Sequence, residues 1–322
     1  MKLVDDIFNP KELKATRDGV GKGILEAGEK DENLWVVTAD VSESTRSNLF
    51  EAKFPKRFVQ VGVAEQNMAG VAAGIAACGK TVFIAAFGVF SPGRNWDQIR
   101  VSVCYNDVNV NVHGSHTGLT VGPDGASHQA LEDIALTRSL PNMIVLAPAD
   151  AEEARKAALA AASVKTPCYI RSGRQKGAVF TTEETPFEIG KANVYRDGSD
   201  VAIFAHGYVV HESLKAAEEL KKKGIDAAVV DCHTVKPIDE DAVVNYAKKC
   251  GLICTVEEHQ VIGGMGSAVA ETVSEKYACP VKRHGIYDTF CESGSAKELL
   301  KKYMLDAEGI AKTVEESMKM KK

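Results

Sequence analysis

Glu65 is the residue best placed for acid–base work in this chain of 322 residues. It follows the short apolar run FVQVG and stands near the first turn of a segment built largely from Ala and Gly, ending at Gly79. A helix this small and apolar can pack closely against another backbone, which takes a carboxylate at its start out of water. A carboxyl that loses water has its pKa raised and becomes available for proton transfer. The other reading is that Glu65 only favours the helix N-terminus through the dipole; the segment alone does not choose. A second concentration of chemistry is VHGSHTGLTVGPDGASHQALEDIA, residues 112–135, with four glycines, one proline and three histidines. One histidine in a loop is ordinarily a solvated or hydrogen-bonded side chain. Three in one Gly-rich loop after a strand, His113, His116 and His128, favour a functional site.

Elements that position these residues are legible as alternating strand and helix patterns. Apolar strand-like runs are LWVVTA (34–39), FVQVG (58–62), TVFIAA (81–86), VNVNVH (108–113), MIVLAP (143–148) and PCYIR (167–171). Helical patterns lie between most of them. Asp150 caps DAEEARKAALAAAS with Glu153 at the reach-back position, and Ser91-Pro92 reads as a helix start. The alternation predicts an α/β fold with a mainly parallel sheet, whose ligands bind beyond the carboxyl ends of the strands. Residues 1–172 form the first expected domain. A polar, turn-rich stretch, 173–199, reads as a linker. A second α/β set, 200–322, follows with DVAIFAHG, IDAAVVDC, GLICTVEE and CPVKRHGI as strands, and its tail reads as two amphipathic helices.

Bulk properties exclude several classes. Hydrophobic residues make up 45% and charged residues 26%, as in a soluble globular protein. The net charge of −5 gives no electrostatic reason to expect nucleic acid or an anionic membrane. The N-terminus is charged from Lys2 and lacks an apolar signal core, and no run approaches the roughly 18 apolar residues of a membrane span. The eight cysteines form no C-x-x-C pair and read as reduced thiols of a cytoplasmic protein. Cys250 and Cys254 lack a second Cys/His pair at zinc-ribbon spacing, so no metal site is expected in this chain.

Four stretches together resemble the transketolase family of thiamine-diphosphate enzymes. They are VGVAEQNMAG (61–70), GLTVGPDGASHQALEDIALTRSLPNMIVLAPAD (118–150), TVEEHQVIGGMGSAVAE (255–271) and YDTFCESGS (287–295). The resemblance is to the pyrimidine-binding and C-terminal domains, and most of all to the smaller chain of split transketolases. It implies that a two-carbon ketol unit passes from a ketose phosphate to an aldose phosphate, as in the pentose phosphate pathway. It also gives Glu65 a role. In this family a buried glutamate hydrogen-bonds the pyrimidine N1′ of thiamine diphosphate and favours the tautomer that activates the thiazolium carbon.

Further residues carry over one at a time. Phe87 and Phe90 match the aromatics that stack on the aminopyrimidine; unaided they read as strand-end core. Asp40 matches an acidic residue beside the cofactor, and Ser44 a group that binds a sugar phosphate. Arg17 and Arg174 match phosphate-binding arginines, with Arg171 an adjacent candidate. His116 and His128 match histidines that contact substrate oxygens and move protons. His113 fits the pattern less closely, and Asp124 matches a contact to a substrate hydroxyl. Gly263, Gly264 and Gly266 resemble an anion-binding turn, but in a domain that is generally outside the active site, so they read as structural.

In transketolases, Mg²⁺ and the diphosphate are held by a domain marked Gly-Asp-Gly and a downstream asparagine. This sequence contains no Gly-Asp-Gly. The resemblance therefore implies a separate N-terminal subunit that holds the metal, with two copies of each chain. Ala69, Ala73, Ala77, Gly70 and Gly74 on the small-residue helix would then pack at a subunit interface, or, as the plain alternative, within the chain. Three other functions stay open at this stage. They are a deoxyxylulose phosphate synthase-like subunit, a 2-oxo-acid dehydrogenase beta-like subunit and a non-catalytic regulatory subunit.

Overall fold

The computed structural model describes residues 2–321. The apolar runs become two sheets, each mainly parallel and flanked by helices. In the first sheet the strand order is Thr234–Lys236, Ile144–Leu146, Cys168–Arg171, Val110–Ser115, Thr81–Phe87, Leu34–Thr38, Phe58–Gln60. In the second it is Val281–Ile286, Ile253–Gln260, Val201–Ala205, Ala227–Asp231, Asn193–Arg196. Strands such as Thr81–Phe87 are apolar on both faces because helices cover both sides of a parallel sheet.

Three strands depart from the expected division of the chain. Thr234–Lys236, from the second α/β set, pairs antiparallel with Ile144–Leu146 and so edges the first sheet. Asn193–Arg196, from the stretch expected to be a linker, pairs antiparallel with Ala227–Asp231 in the second sheet. Gly177–Ala178 from the same stretch pairs with Leu13–Lys14. Long-range edge pairings of this kind leave no periodic trace in so short a segment.

Asp150 caps Ala151–Ser163 as expected, accepting from the Glu153 N–H at 2.9 Å. Glu153 reaches one residue further than a capping box requires and accepts from the Ala149 N–H at 2.6 Å. The expected helix start at Ser91-Pro92 is displaced: the bond is cis within a turn, and the helix begins at Trp96. Helix Thr16–Lys30, which carries Arg17, packs directly on Ala151–Ser163. A Cβ at Gly19 would stand 1.9 Å from the Ala151 carbonyl oxygen, so glycine is what allows the approach. The tail forms the two expected helices, Ala296–Lys302 and Ala307–Ser317. No helix among the described residues is long and apolar enough to cross a membrane.

Candidate active site

Glu65 opens the helix Glu65–Ala77 and is only 3% exposed. Met68, Ala69, Ala72, Ala73 and Ala76 turn inward with it. Gly70, Gly74 and Ala77 lie on the exposed side, and a Cβ at either glycine would meet nothing within 4 Å. The small-residue helix thus divides its two expected uses: Ala69 and Ala73 pack within the chain, while the glycine face is left uncovered. Burial was expected for Glu65, but its charge partner was not. Arg94 Nη1 donates to Glu65 Oε2 at 2.7 Å, and the Asn95 side-chain amide donates to the Glu65 carbonyl at 3.2 Å.

Phe87 ends the strand Thr81–Phe87, and Phe90 follows in the turn beyond it. Their rings are near parallel, 23° apart, with centroids 6.3 Å apart, and both are partly exposed. The histidine loop folds over them. The His116 ring stacks on Phe87 at 4.0 Å, and the His128 ring meets Phe90 edge-on at 5.6 Å. A carboxyl out of water beside two half-open, roughly parallel rings fits a flat aminopyrimidine, which needs one hydrogen-bonding acid and two apolar faces. Among the described residues, no group of three His, Cys, Asp or Glu side chains is placed to hold a metal ion.

A basic cluster lies beside the rings. Arg17 Nη1 donates to the Ser44 carbonyl at 2.9 Å and to His116 Nε2 at 3.1 Å, leaving its buried Nε without a partner. A guanidinium only donates, so His116 Nε2 must accept, and the proton on Nδ1 faces the Ser115 hydroxyl at 3.0 Å. Arg174 Nη1 donates to Asp124 Oδ2 at 3.0 Å, and both side chains are partly exposed. Ser127 holds His128 Nδ1 at 2.9 Å. Asp40 is exposed past the carboxyl end of Leu34–Thr38, with φ 63° and its N–H bonded to the Gln60 side chain.

Two expected contacts are withdrawn from the site. His113 is fully buried in the strand Val110–Ser115, and its Nε2 pairs with the Ser172 hydroxyl at 2.7 Å. It supports the loop from beneath and cannot touch a substrate in this conformation. Arg171 is also committed: Nε donates to Asp133 at 2.9 Å, and Nη2 donates to the carbonyls of Glu258 at 2.8 Å and Ala130 at 3.3 Å. Of the two candidate arginines, Arg171 ends the strand Cys168–Arg171, and only Arg174, just beyond it, faces the loop's open side.

The buried histidines set a pH dependence. Burial, then the Arg17 charge, pushes both His113 and His116 down to about 3. In the unfolded chain both titrate near 6.5. Below about pH 6.5 the unfolded state binds protons that the native state refuses, so stability falls as pH falls. The slope is about 1.4 kcal/mol per pH unit for each histidine and fades near pH 3. Chemical denaturation between pH 7 and 4 should show it, and His113→Gln should lessen it. A variant with an undiminished slope would contradict this origin.

The second domain buttresses the loop. Glu258 accepts from the Thr120 N–H at 3.0 Å, the Gln260 N–H donates to Leu131 at 2.7 Å, and the Gln129 amide donates to the Glu292 carbonyl at 3.1 Å. Gly125, at φ 70°, would place a Cβ 2.4 Å from the Ser293 hydroxyl. The glycine turn before Met265–Lys276 is filled from within: Glu257 accepts from the N–H groups of Met265 at 2.8 Å and Gly266 at 2.9 Å. That carboxylate is what the turn binds, which agrees with a structural role for Gly263, Gly264 and Gly266. Arg94, Asp133 and Glu258 were not legible as site residues, since each acts through a partner distant in sequence.

Comparisons with known proteins fit this arrangement. The family model for the transketolase pyrimidine binding domain matches residues 12–178, and that for the transketolase C-terminal domain matches residues 190–310. A Methanocaldococcus jannaschii chain, described only provisionally as a transketolase C-terminal section, is 46% identical over 95% of this chain and 97% of its own length. One of the chains of the apulose-4-phosphate transketolase of Phocaeicola vulgatus is 37% identical over 95% of this chain and 98% of its own length. Human transketolase is 36% identical over 93% of this chain, which spans 48% of it. Among solved structures, a split gene transketolase described as an inactive β4 tetramer superposes with a TM-score of 0.90 at 43% identity. That match covers 96% of this chain and 100% of the other.

Proposed function

Since the chain belongs to the transketolase family, we propose that it is the C-terminal subunit of a split, thiamine-diphosphate-dependent transketolase. It moves a two-carbon ketol unit from a ketose phosphate to an aldose phosphate. The observation that carries this reading is the buried Glu65 carboxylate set beside the partly exposed rings of Phe87 and Phe90, with His116 and His128 closing over them. Two relatives, described as a transketolase C-terminal section and a transketolase subunit, support the subunit reading. The chain spans 97% and 98% of the two relatives of its own size but only 48% of human transketolase.

When bound, the cofactor supplies the reactive carbon and the electron sink for breaking a ketose C–C bond. The residues of this chain prepare for it. Glu65 hydrogen-bonds the pyrimidine N1′ from a position that water does not reach. Phe87 and Phe90 would offer the pyrimidine apolar ring faces, and Asp40 would serve the cofactor–substrate junction. Arg17, Ser44 and Arg174 take the sugar phosphate, and the buried, unpartnered Arg17 Nε is an available donor for it. His116 and His128 hold and move protons at the substrate oxygens. Asp124, oriented by Arg174, meets a hydroxyl. The metal and the diphosphate fall to a separate N-terminal subunit with a Gly-Asp-Gly motif, in an assembly of two copies of each chain. The cytoplasm is the proposed setting.

Substrate class is tested by assaying the reconstituted pair with xylulose 5-phosphate and ribose 5-phosphate, and separately with 2-oxo acids and a lipoyl acceptor. Turnover with the sugars alone is the expected result. Turnover with 2-oxo acids alone would assign the chain to the dehydrogenase type.

A further inference from the structure

Arg94 is the side chain at this site for which the proposed function has no use. It lies in the turn after Phe90, with its side chain 49% exposed, yet it reaches inward to a carboxylate that is almost wholly buried. Its guanidinium makes two contacts at once. Nη1 donates to Glu65 Oε2 at 2.7 Å, and Cζ stands 4.7 Å from the centre of the Phe90 ring. Among the described residues, no other donor reaches the Glu65 carboxylate. The backbone beneath is anchored independently: Asn95 is fully buried, and its amide donates to the Glu65 carbonyl at 3.2 Å and the Ser91 hydroxyl at 3.1 Å. The side chain can therefore leave by rotation alone, without moving the turn.

These two contacts are the ones that an aminopyrimidine needs. A guanidinium is flat and stacks through its face, as an aminopyrimidine does, but it donates to the Glu65 carboxylate where the pyrimidine N1′ would accept from the Glu65 carboxyl. Both cannot occupy the same space against Phe90 and the same oxygen of Glu65. We propose that Arg94 is a displaceable plug. In the chain on its own it fills the aminopyrimidine's place, and it withdraws into solvent when the cofactor binds. The proposal rests on the cofactor reading above. Arg94 is a positioning residue, because it acts by holding Glu65 and Phe90. It keeps a buried carboxylate partnered while the site is incomplete. The cost of removing it falls on cofactor binding.

The test is binding of the cofactor's pyrimidine fragment, 4-amino-5-hydroxymethyl-2-methylpyrimidine, to the isolated full chain, followed by calorimetry and ligand-observed NMR. Arg94→Ala should bind about tenfold more tightly than the native chain, because a half-exposed ion pair no longer has to be broken. Arg94→Lys, which keeps the charge but loses the flat face, should fall between them. Thermal melts confirm folding of each variant. Equal or weaker binding by Arg94→Ala, with Glu65→Gln still weakening binding in that background, would overturn the plug and leave the cofactor site standing. Absence of any Glu65→Gln effect, or of fragment binding to every variant, would overturn both.

Discussion

Glu65→Gln, in the enzyme assembled with its partner subunit, should lower ketol transfer by about 1000-fold at saturating thiamine diphosphate. The amide nearly matches the carboxyl in shape, and its oxygen can still accept from Arg94 in place of Oε2, so the fold should be preserved. On the proposed reading, what is lost is the acid that would hold the pyrimidine nitrogen. The site is dry on the protein side, with Glu65 3% exposed, so no solvent proton stands in for it. Steady-state rates and thermal melts, measured on the same preparations, separate chemistry from stability. A rate within about tenfold of the native enzyme, with an unchanged melt, would remove Glu65 from the mechanism.

Arg171→Met should produce the largest loss of stability, about 3–5 kcal/mol. Arg171 and Asp133 are 5% and 1% exposed. The guanidinium satisfies Asp133 Oδ2 at 2.9 Å and the Glu258 carbonyl at 2.8 Å, and Tyr169 adds a hydroxyl to the same Asp133 oxygen at 2.6 Å. Removing the arginine strands a buried carboxylate whose Oδ1 already lacks a partner. It also cuts a tie between the histidine loop and the second domain. Urea unfolding gives the loss directly. The double variant Arg171→Met/Asp133→Asn should recover part of it, because the stranded charge is gone. A loss below about 1 kcal/mol in the single variant would show that the pair is not what holds this junction.

The first sheet was largely legible because its strands are buried on both faces and read as unbroken apolar runs, such as LWVVT and TVFIAAF. The Asp150 cap was legible because its partner is three residues away. Thr234–Lys236 was not, since three residues pairing antiparallel with a strand some ninety positions earlier carry no local period. The helix start at Pro92 misread a turn as a cap. Asn95, which lies just before the helix that forms at Trp96, spends its amide on Glu65 and Ser91.

The site divides in the same way. Glu65 and His128 stand in the stretches that carried the resemblance, Phe87, Phe90 and His116 were carried over from it one at a time, and the fold brings the five together. His113 and Arg171 were carried over in the same way but point into the protein, since residues on a strand alternate between faces and only burial tells which face they take. Arg94 reads as an ordinary surface charge in sequence. Its role depends on a carboxylate 29 positions earlier that the fold delivers to it.

If this chain is half of an active site, neither half should work without the other. The most direct test measures ketol transfer from xylulose 5-phosphate to ribose 5-phosphate by three samples. These are this chain alone, the Gly-Asp-Gly-bearing chain alone, and the two mixed, each with thiamine diphosphate and Mg²⁺. Activity confined to the mixture is the expected result. Substantial turnover by this chain on its own would contradict it.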